Sequence, residues 1–274
     1  MLSDNRRKEI RVKAEAFRER CKVSRYGIID LFKECDRCGF KLLRYPLGET
    51  ADLGFAMKRD QDVILFTNTS IRLSREIFTL AHEIGHIQLH IEDMEEERSR
   101  EAFIDDTITI AGRSIDDKEQ EANYFAVCLL MPSDEVEKFL DLEMDDFSKN
   151  TISAMDIARM MSEFNVSFET AMNRLENLGK IGSAERVRLD NARNEMRVGR
   201  LLCSVGGNGR LNEASQVTSL PYEFINYVIY NYNHNAIPRE TLEKALDCYG
   251  LSVDDVSDEL VCNVHEDRLH SWMS

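Results

Sequence analysis

A chain of 274 residues, 43% hydrophobic and 31% charged, can bury a sizeable core and suits one large domain or two smaller ones. Its formal net charge of -15 and pI near 4.9 repel polyanions, which argues against nucleic acid as the principal ligand. No apolar run approaches the roughly 18 residues of a membrane span, and residues 1–10 lack the apolar segment of a secretory signal, so the expected location is cytoplasmic with the seven cysteines reduced.

Residues 5–38 carry two amphipathic helical patterns, the second ending at Cys38-Gly39. The period then changes. K-L-L-R-Y, A-D-L-G-F-A-M and D-V-I-L-F-T have the β-branched, aromatic and alternating character of strands, and K-R-D-Q suits a hairpin turn between the last two. A long helix is expected from Ser70 to Ile91, followed by the acidic stretch 92–101, whose like charges require solvent. A second helix starts at Asp116 or Asp117 and stops at Met131-Pro132, because proline cannot continue it. Two shorter helices span 151–178 and meet at F-N-V-S, and the remaining residues read as helical, with G-G-N-G near residue 206 as a loop. The fold class is therefore α+β, with a small sheet ahead of a long helix.

That helix contains H-E-I-G-H-I-Q-L-H. Residues i and i+4 share a helix face, so His82 and His86 can hold one metal ion from adjacent turns. Glu83 leans to the same side, where a carboxylate can take a proton from water without being a ligand. His90 is about 12 Å along the axis from His82, too far to share one ion with it, and the pair His86–His90 has no carboxylate between its members. His90 is thus a supporting residue. Ile77, Leu80, Ile84, Ile87 and Ile91 form an apolar stripe on the opposite face, and Gly85 leaves room for another element to approach.

Two histidines alone are weak grounds for a metal site, so a third ligand is required. The segment D-D-K-E-Q-E-A-N-Y-F-A offers Asp116, Asp117, Glu119 and Glu121. At 100° per residue, Glu119 falls on a face with Ala122, Asn123 and Ala126, whereas Glu121 points about 200° away. A carboxylate on such a face needs a partner or a metal, since burying it alone costs several kcal/mol. Glu119 is the candidate ligand, and Asn123, one turn on, can orient a ligating histidine.

F-T-L-A-H-E-I-G-H-I-Q-L-H, then E-Q-E-A-N-Y-F-A-V-C-L-L-M-P, then F-N-V-S-F-E-T-A-M-N-R-L occur in an order that resembles the ImmA/IrrE metallo-endopeptidases over roughly residues 25–180. The resemblance implies a zincin-like, gluzincin-type domain at 1–148 and a helix-turn-helix-like segment at 149–182; residues 183–274 are a helical region by their own sequence pattern. It also implies a zinc ion, with Mn2+ as the alternative, held by His82, His86 and Glu119, and Glu83 as general base. The implied substrate is a transcriptional repressor encoded nearby, cleaved to relieve repression of a mobile element or stress-response regulon. The competing reading is a non-catalytic regulator that binds a repressor or DNA through 149–182.

Other signals are weaker. A strand at Gly54–Lys58 or Val63–Phe66 could align a substrate backbone, and His90 or Tyr124 could face the oxyanion. In the helix-turn-helix-like segment Arg174 is offset by Glu169 and Glu176, which disfavours direct DNA binding. Arg186, Arg188, Arg193, Arg197 and Arg200 make a locally basic helix. Cys35-x-x-Cys38 lacks a second pair at metal spacing, and Cys262, His265 and His270 form only a loose cluster near the end of the chain.

Overall fold

A computed structural model describes residues 2–59, 61–91, 103–105, 117–144, 151–221 and 223–260, with residues 59 and 103–105 described through their backbone. The chain forms two compact units, Met1–Val217 and Thr218–Ser274.

The first unit opens with α1 (Asp4–Arg18), capped by the Ser3 side chain, which accepts the Arg6 N–H, and buried along Ile10, Ala14 and Phe17 at helical spacing. After α2 (Leu31–Arg37), capped by Asp30, come β1 (Lys41–Tyr45), β2 (Gly54–Arg59) and β3 (Asp62–Asn68). Together with β4 (Phe103–Asp105) they form a four-stranded sheet in the order β1-β3-β2-β4. β1 runs parallel to β3, while the hairpin strand β2 is antiparallel to both β3 and β4. β3 is therefore paired along both edges and offers no edge to a substrate; β2 is paired with β4 from Gly54 to Ala56.

The long helix lies on this sheet. α3 (Leu73–His86) is buried on every side rather than along the apolar stripe alone: His82, Glu83 and His86 are each fully buried, as are Leu80 and Ile84. It starts later than Ser70 and ends in a π-helical turn, Ile87–Ile91, a distortion that recurs at functional sites. Among the described residues no side chain caps its N-terminus; the Leu73 N–H instead donates to the Glu213 carbonyl at 2.7 Å. The segment around residues 213–217 is fixed there by further bonds, Gln216 N–H to the Thr69 carbonyl (3.0 Å) and Thr69 Oγ1 to the Val217 carbonyl (2.9 Å).

α4 (Asp117–Leu130) packs against α3 and α1, and Pro132 separates it from α5 (Ser133–Glu143). At the α3–α4 contact a methyl on Gly85 would lie 3.1 Å from Ala122 Cα, so glycine sets how closely the two helices approach. α6 (Ala154–Phe164) begins with a reciprocal cap between Ser153 and Asp156 and ends at Asn165, in the left-handed conformation with φ 55°. α7 (Phe168–Asn177) is capped by Ser167 and buries Ala171, Met172 and Leu175, as its sequence pattern requires. α8 (Ser183–Met196), α9 (Val198–Ser204) and a 3-10 turn at Gly209–Asn212 complete this unit, with the chain reversing at Gly206 as expected.

The second unit holds α10 (Glu223–Asn233), α11 (Arg239–Asp247) and a 3-10 segment, Val253–Glu259, around a small core of Ile225, Val228, Ile229, Leu242, Leu246 and Val256. Among the described residues, no helix is long and apolar enough to cross a membrane.

Candidate metal centre

One turn of α3 brings His82 Nε2 and His86 Nε2 to 2.9 Å from each other. The two Glu119 oxygens complete the cluster from α4, Oε2 at 3.2 Å from His82 Nε2 and Oε1 at 3.3 Å from His86 Nε2. These three residues form a group whose ligand atoms could hold one metal ion. A zinc ion with bonds of about 2.0–2.1 Å spaces tetrahedral ligand atoms roughly 3.3 Å apart, so the triangle fits such an ion after shifts of a few tenths of an ångström.

The outer nitrogens explain why the inner ones face each other. His82 Nδ1 lies 3.1 Å from Asn123 Oδ1, an acceptor, so Nδ1 carries the proton and Nε2 a lone pair. His86 Nδ1 lies 3.1 Å from His90 Nδ1, and His90 Nε2 lies 3.0 Å from Glu121 Oε2. The carboxylate must be the acceptor in that second contact, so His90 donates through Nε2 and accepts through Nδ1. His86 therefore donates through Nδ1 and also has a lone pair at Nε2. Burial pulls the His90 pKa down to about 4, so its ring is neutral at pH 7 and can accept as this pattern requires.

Glu121 in turn receives a two-pronged contact from Arg6, Nε at 2.7 Å and Nη2 at 2.6 Å. Arg6 lowers the Glu121 pKa, and Glu121 raises that of Arg6. A continuous line of contacts thus runs from Arg6 on α1 through Glu121 and His90 to His86. Two imidazole lone pairs and a carboxylate converging within 3.3 Å repel one another unless a cation stands between them.

Glu83 lies on the same helix, between the two histidines. It is fully buried and stands against β2, where a methyl on Gly54 would come 2.7 Å from its Oε1 and 2.5 Å from Thr79 Cγ2. Only a strand residue without a side chain allows this approach. Tyr124 does not join the cluster; it lines a separate cavity with Arg7 and Arg174.

Several charged residues are placed differently from what the sequence alone conveys. Arg174 is buried, 5% exposed, and donates from Nε to the Met131 carbonyl at 2.8 Å instead of projecting from α7. Glu169 and Glu176 pair with Arg186, and Glu169 also with Arg193, so the basic helix is partly neutralised by α7. Cys35 is buried and Cys38 half-buried; both are free thiols. The acidic stretch 92–101, Asp116 and the Cys262, His265, His270 cluster lie outside the described residues. Sequence reasoning missed Gly54, whose signal was a glycine inside an alternating strand pattern. It also missed Arg6 and Glu121, for which no local signal exists.

A helix presenting two imidazoles to a carboxylate from the next helix, on a small mixed sheet, is a zincin-like arrangement. The family model for the IrrE N-terminal-like domain, peptidase M78, matches residues 35–176, and the chain belongs to this metallopeptidase family. Comparison with curated proteins finds no match.

Proposed function

We propose that this protein is a zinc-dependent endopeptidase that cuts and inactivates a partner transcriptional repressor. In this reading His82, His86 and Glu119 are the metal ligands and Glu83 is the general base. The observation that carries it is the donor set: both histidines have Nδ1 engaged by an acceptor, which directs two Nε2 lone pairs and one carboxylate at a common point. Two imidazoles, one carboxylate and room for a further ligand are the protein contribution to a catalytic zinc site; Mn2+ suits the same donors less well. When bound, the metal supplies positive charge that acidifies water and polarises a peptide carbonyl.

The chain supplies the rest. Glu83, one residue from His82 and buried against β2, takes the proton from the attacking water and returns it to the leaving amine. Asn123 and the His90–Glu121–Arg6 line hold the two imidazoles in the required tautomer. The choice of a repressor as substrate rests on the family resemblance of the three motifs, and α6 and α7 are assigned to repressor docking. Mn2+ or Zn2+ loading, the repressor encoded beside this gene and a gel-and-mass-spectrometry assay suffice for a test. Glu83→Gln should retain metal yet cleave at least about a hundredfold more slowly, and His82→Ala should lose metal and cleavage together. Normal cleavage by Glu83→Gln would remove the proposed mechanism.

A further inference from the structure

Away from the metal centre, α1, α4, α5 and α7 enclose a cavity of about 410 Å³ lined by Arg7, Arg11, Tyr124, Ser133, Arg174 and Asn177. Three guanidinium groups meet there in a protein whose net charge is -15. Arg7 and Arg11 follow one another at i,i+4 on one face of α1, and Arg7 lies over the Tyr124 ring, 5.8 Å from its centre. Among the described residues none of the three forms an ion pair within 4.0 Å, and Arg7 Nε is buried without a hydrogen-bond partner. Among the described lining residues Asp4 is the one carboxylate, so the lining carries a formal net charge of +2.

Arg174 is the least ordinary member. Its side chain is buried, with Nε held by the Met131 carbonyl, and its charged neighbours include Arg11 rather than an acid. Burial pushes its pKa down and outweighs Cys128 and Tyr124, which act the other way, and Arg11 adds a smaller push downward. Keeping a cation buried beside another cation is costly unless an anion joins them. Arginine forks match phosphate oxygens in pairs, and hydroxyl and amide groups from Ser133, Tyr124 and Asn177 can complete an oxyanion shell.

We propose that Arg7, Arg11 and Arg174 form a binding pocket for a phosphate dianion, either free phosphate or the phosphoryl group of a small phosphomonoester. A phosphate carries about -1.5 to -2 charges at pH 7, which balances the two left over in the pocket. The cavity is larger than a phosphate ion alone needs and falls in the range of small-ligand sites. An occupant would tie α1 and α7 to α4, the helix that carries Glu119.

The test is calorimetric titration of the full-length protein at fixed ionic strength, with chloride as background and with inorganic phosphate and glycerol 3-phosphate in separate arms. One-site saturable binding is expected in at least one arm; tighter binding of glycerol 3-phosphate identifies a phosphomonoester, and equal binding identifies the free ion. Arg7→Gln and Arg11→Gln should each weaken it by about tenfold, the usual cost of a charge-assisted bond. Lys8→Gln, which removes the same charge from the exposed side of α1, should leave it unchanged. Because Arg11 is exposed, its replacement tests the pocket even if Arg174 variants fail to fold. The proposal is overturned by no saturation in either arm at about ten millimolar, by equal weakening in Lys8→Gln, or by binding that His82→Ala abolishes and Arg11→Gln spares, since that anion would sit at the metal centre.

Discussion

Gly54 and Glu83 are in contact across the sheet–helix boundary, so close that a single methyl on Gly54 would stand 2.7 Å from Glu83 Oε1. The same methyl would meet Thr79 Cγ2 at 2.5 Å and the Phe66 carbonyl at 2.9 Å, and the last of these is backbone that cannot swing aside. Gly54→Ala should therefore cost about 1–3 kcal/mol of stability through overpacking and displace the Glu83 carboxylate. Cleavage should fall far more than metal content. Gly209→Ala, where an added methyl meets nothing within 4 Å, is the control. Wild-type cleavage by purified Gly54→Ala would mean that Glu83 tolerates displacement or does not act as the base.

Glu119 and Glu121 lie two residues apart and face different partners, which separates their expected effects. Glu119→Ala should abolish metal retention after dialysis, measured by elemental analysis, because it removes the carboxylate facing both Nε2 atoms. Glu121→Ala should keep metal content near wild type while lowering unfolding free energy by about 1–3 kcal/mol, since Arg6 and His90 lose a part-buried charged partner. Equal metal loss in both variants would contradict this division of roles.

The convergence of His82, His86 and Glu119 was legible because each element speaks locally. The 3.6-residue period sets His82 above His86, Ala122 and Ala126 mark the buried face of α4 beside Glu119, and Pro132 ends that helix. Gly85 announced a close helix contact, and Ala122 supplies it. What the sequence hides is pairing at long range. Arg6 reaches Glu121 across 115 residues and Ser215 reaches Glu76 across 139, and neither residue has a neighbour that points to the other. Arg174 misled for a related reason: its charge suggests exposure, whereas its position beside Ala171 and Leu175 on α7 leaves it under the Met131 carbonyl.

Glu76 is fully buried on α3 and gathers three partners from distant segments: Arg44 Nε at 2.7 Å, Thr67 Oγ1 at 3.1 Å and Ser215 Oγ at 2.7 Å. Removing the acid strands a largely buried guanidinium whose other contacts are the Phe32 ring, 3.7 Å away, and Ser215 Oγ, 3.4 Å from its Nη2. Glu76→Ala should lower unfolding free energy by about 3–5 kcal/mol in chemical denaturation. Hydrogen exchange around residues 213–217 should quicken with it, since Ser215 is one of their anchors on α3. A loss below about 1 kcal/mol would show that this network is peripheral to folding.

The α6–α7 pair has the outline of a DNA-reading motif, but its charges are already committed. A recognition helix needs basic or amide side chains free to meet phosphates and base edges. On α7 the one arginine, Arg174, is buried, and the exposed acids Glu169 and Glu176 accept Arg186, with Glu169 also taking Arg193. Asn173 is likewise engaged, accepting from Arg186 at 2.7 Å. Freeing those groups for DNA would break several ion pairs and bring a protein of net charge -15 against a polyanion. The full-length protein should therefore give no sequence-specific shift of a defined operator at submicromolar concentration and moderate salt. Glu169→Gln with Glu176→Gln should raise only nonspecific, salt-sensitive binding. A shift by the wild-type protein that persists under excess competitor DNA would favour the regulator reading over repressor docking for this segment.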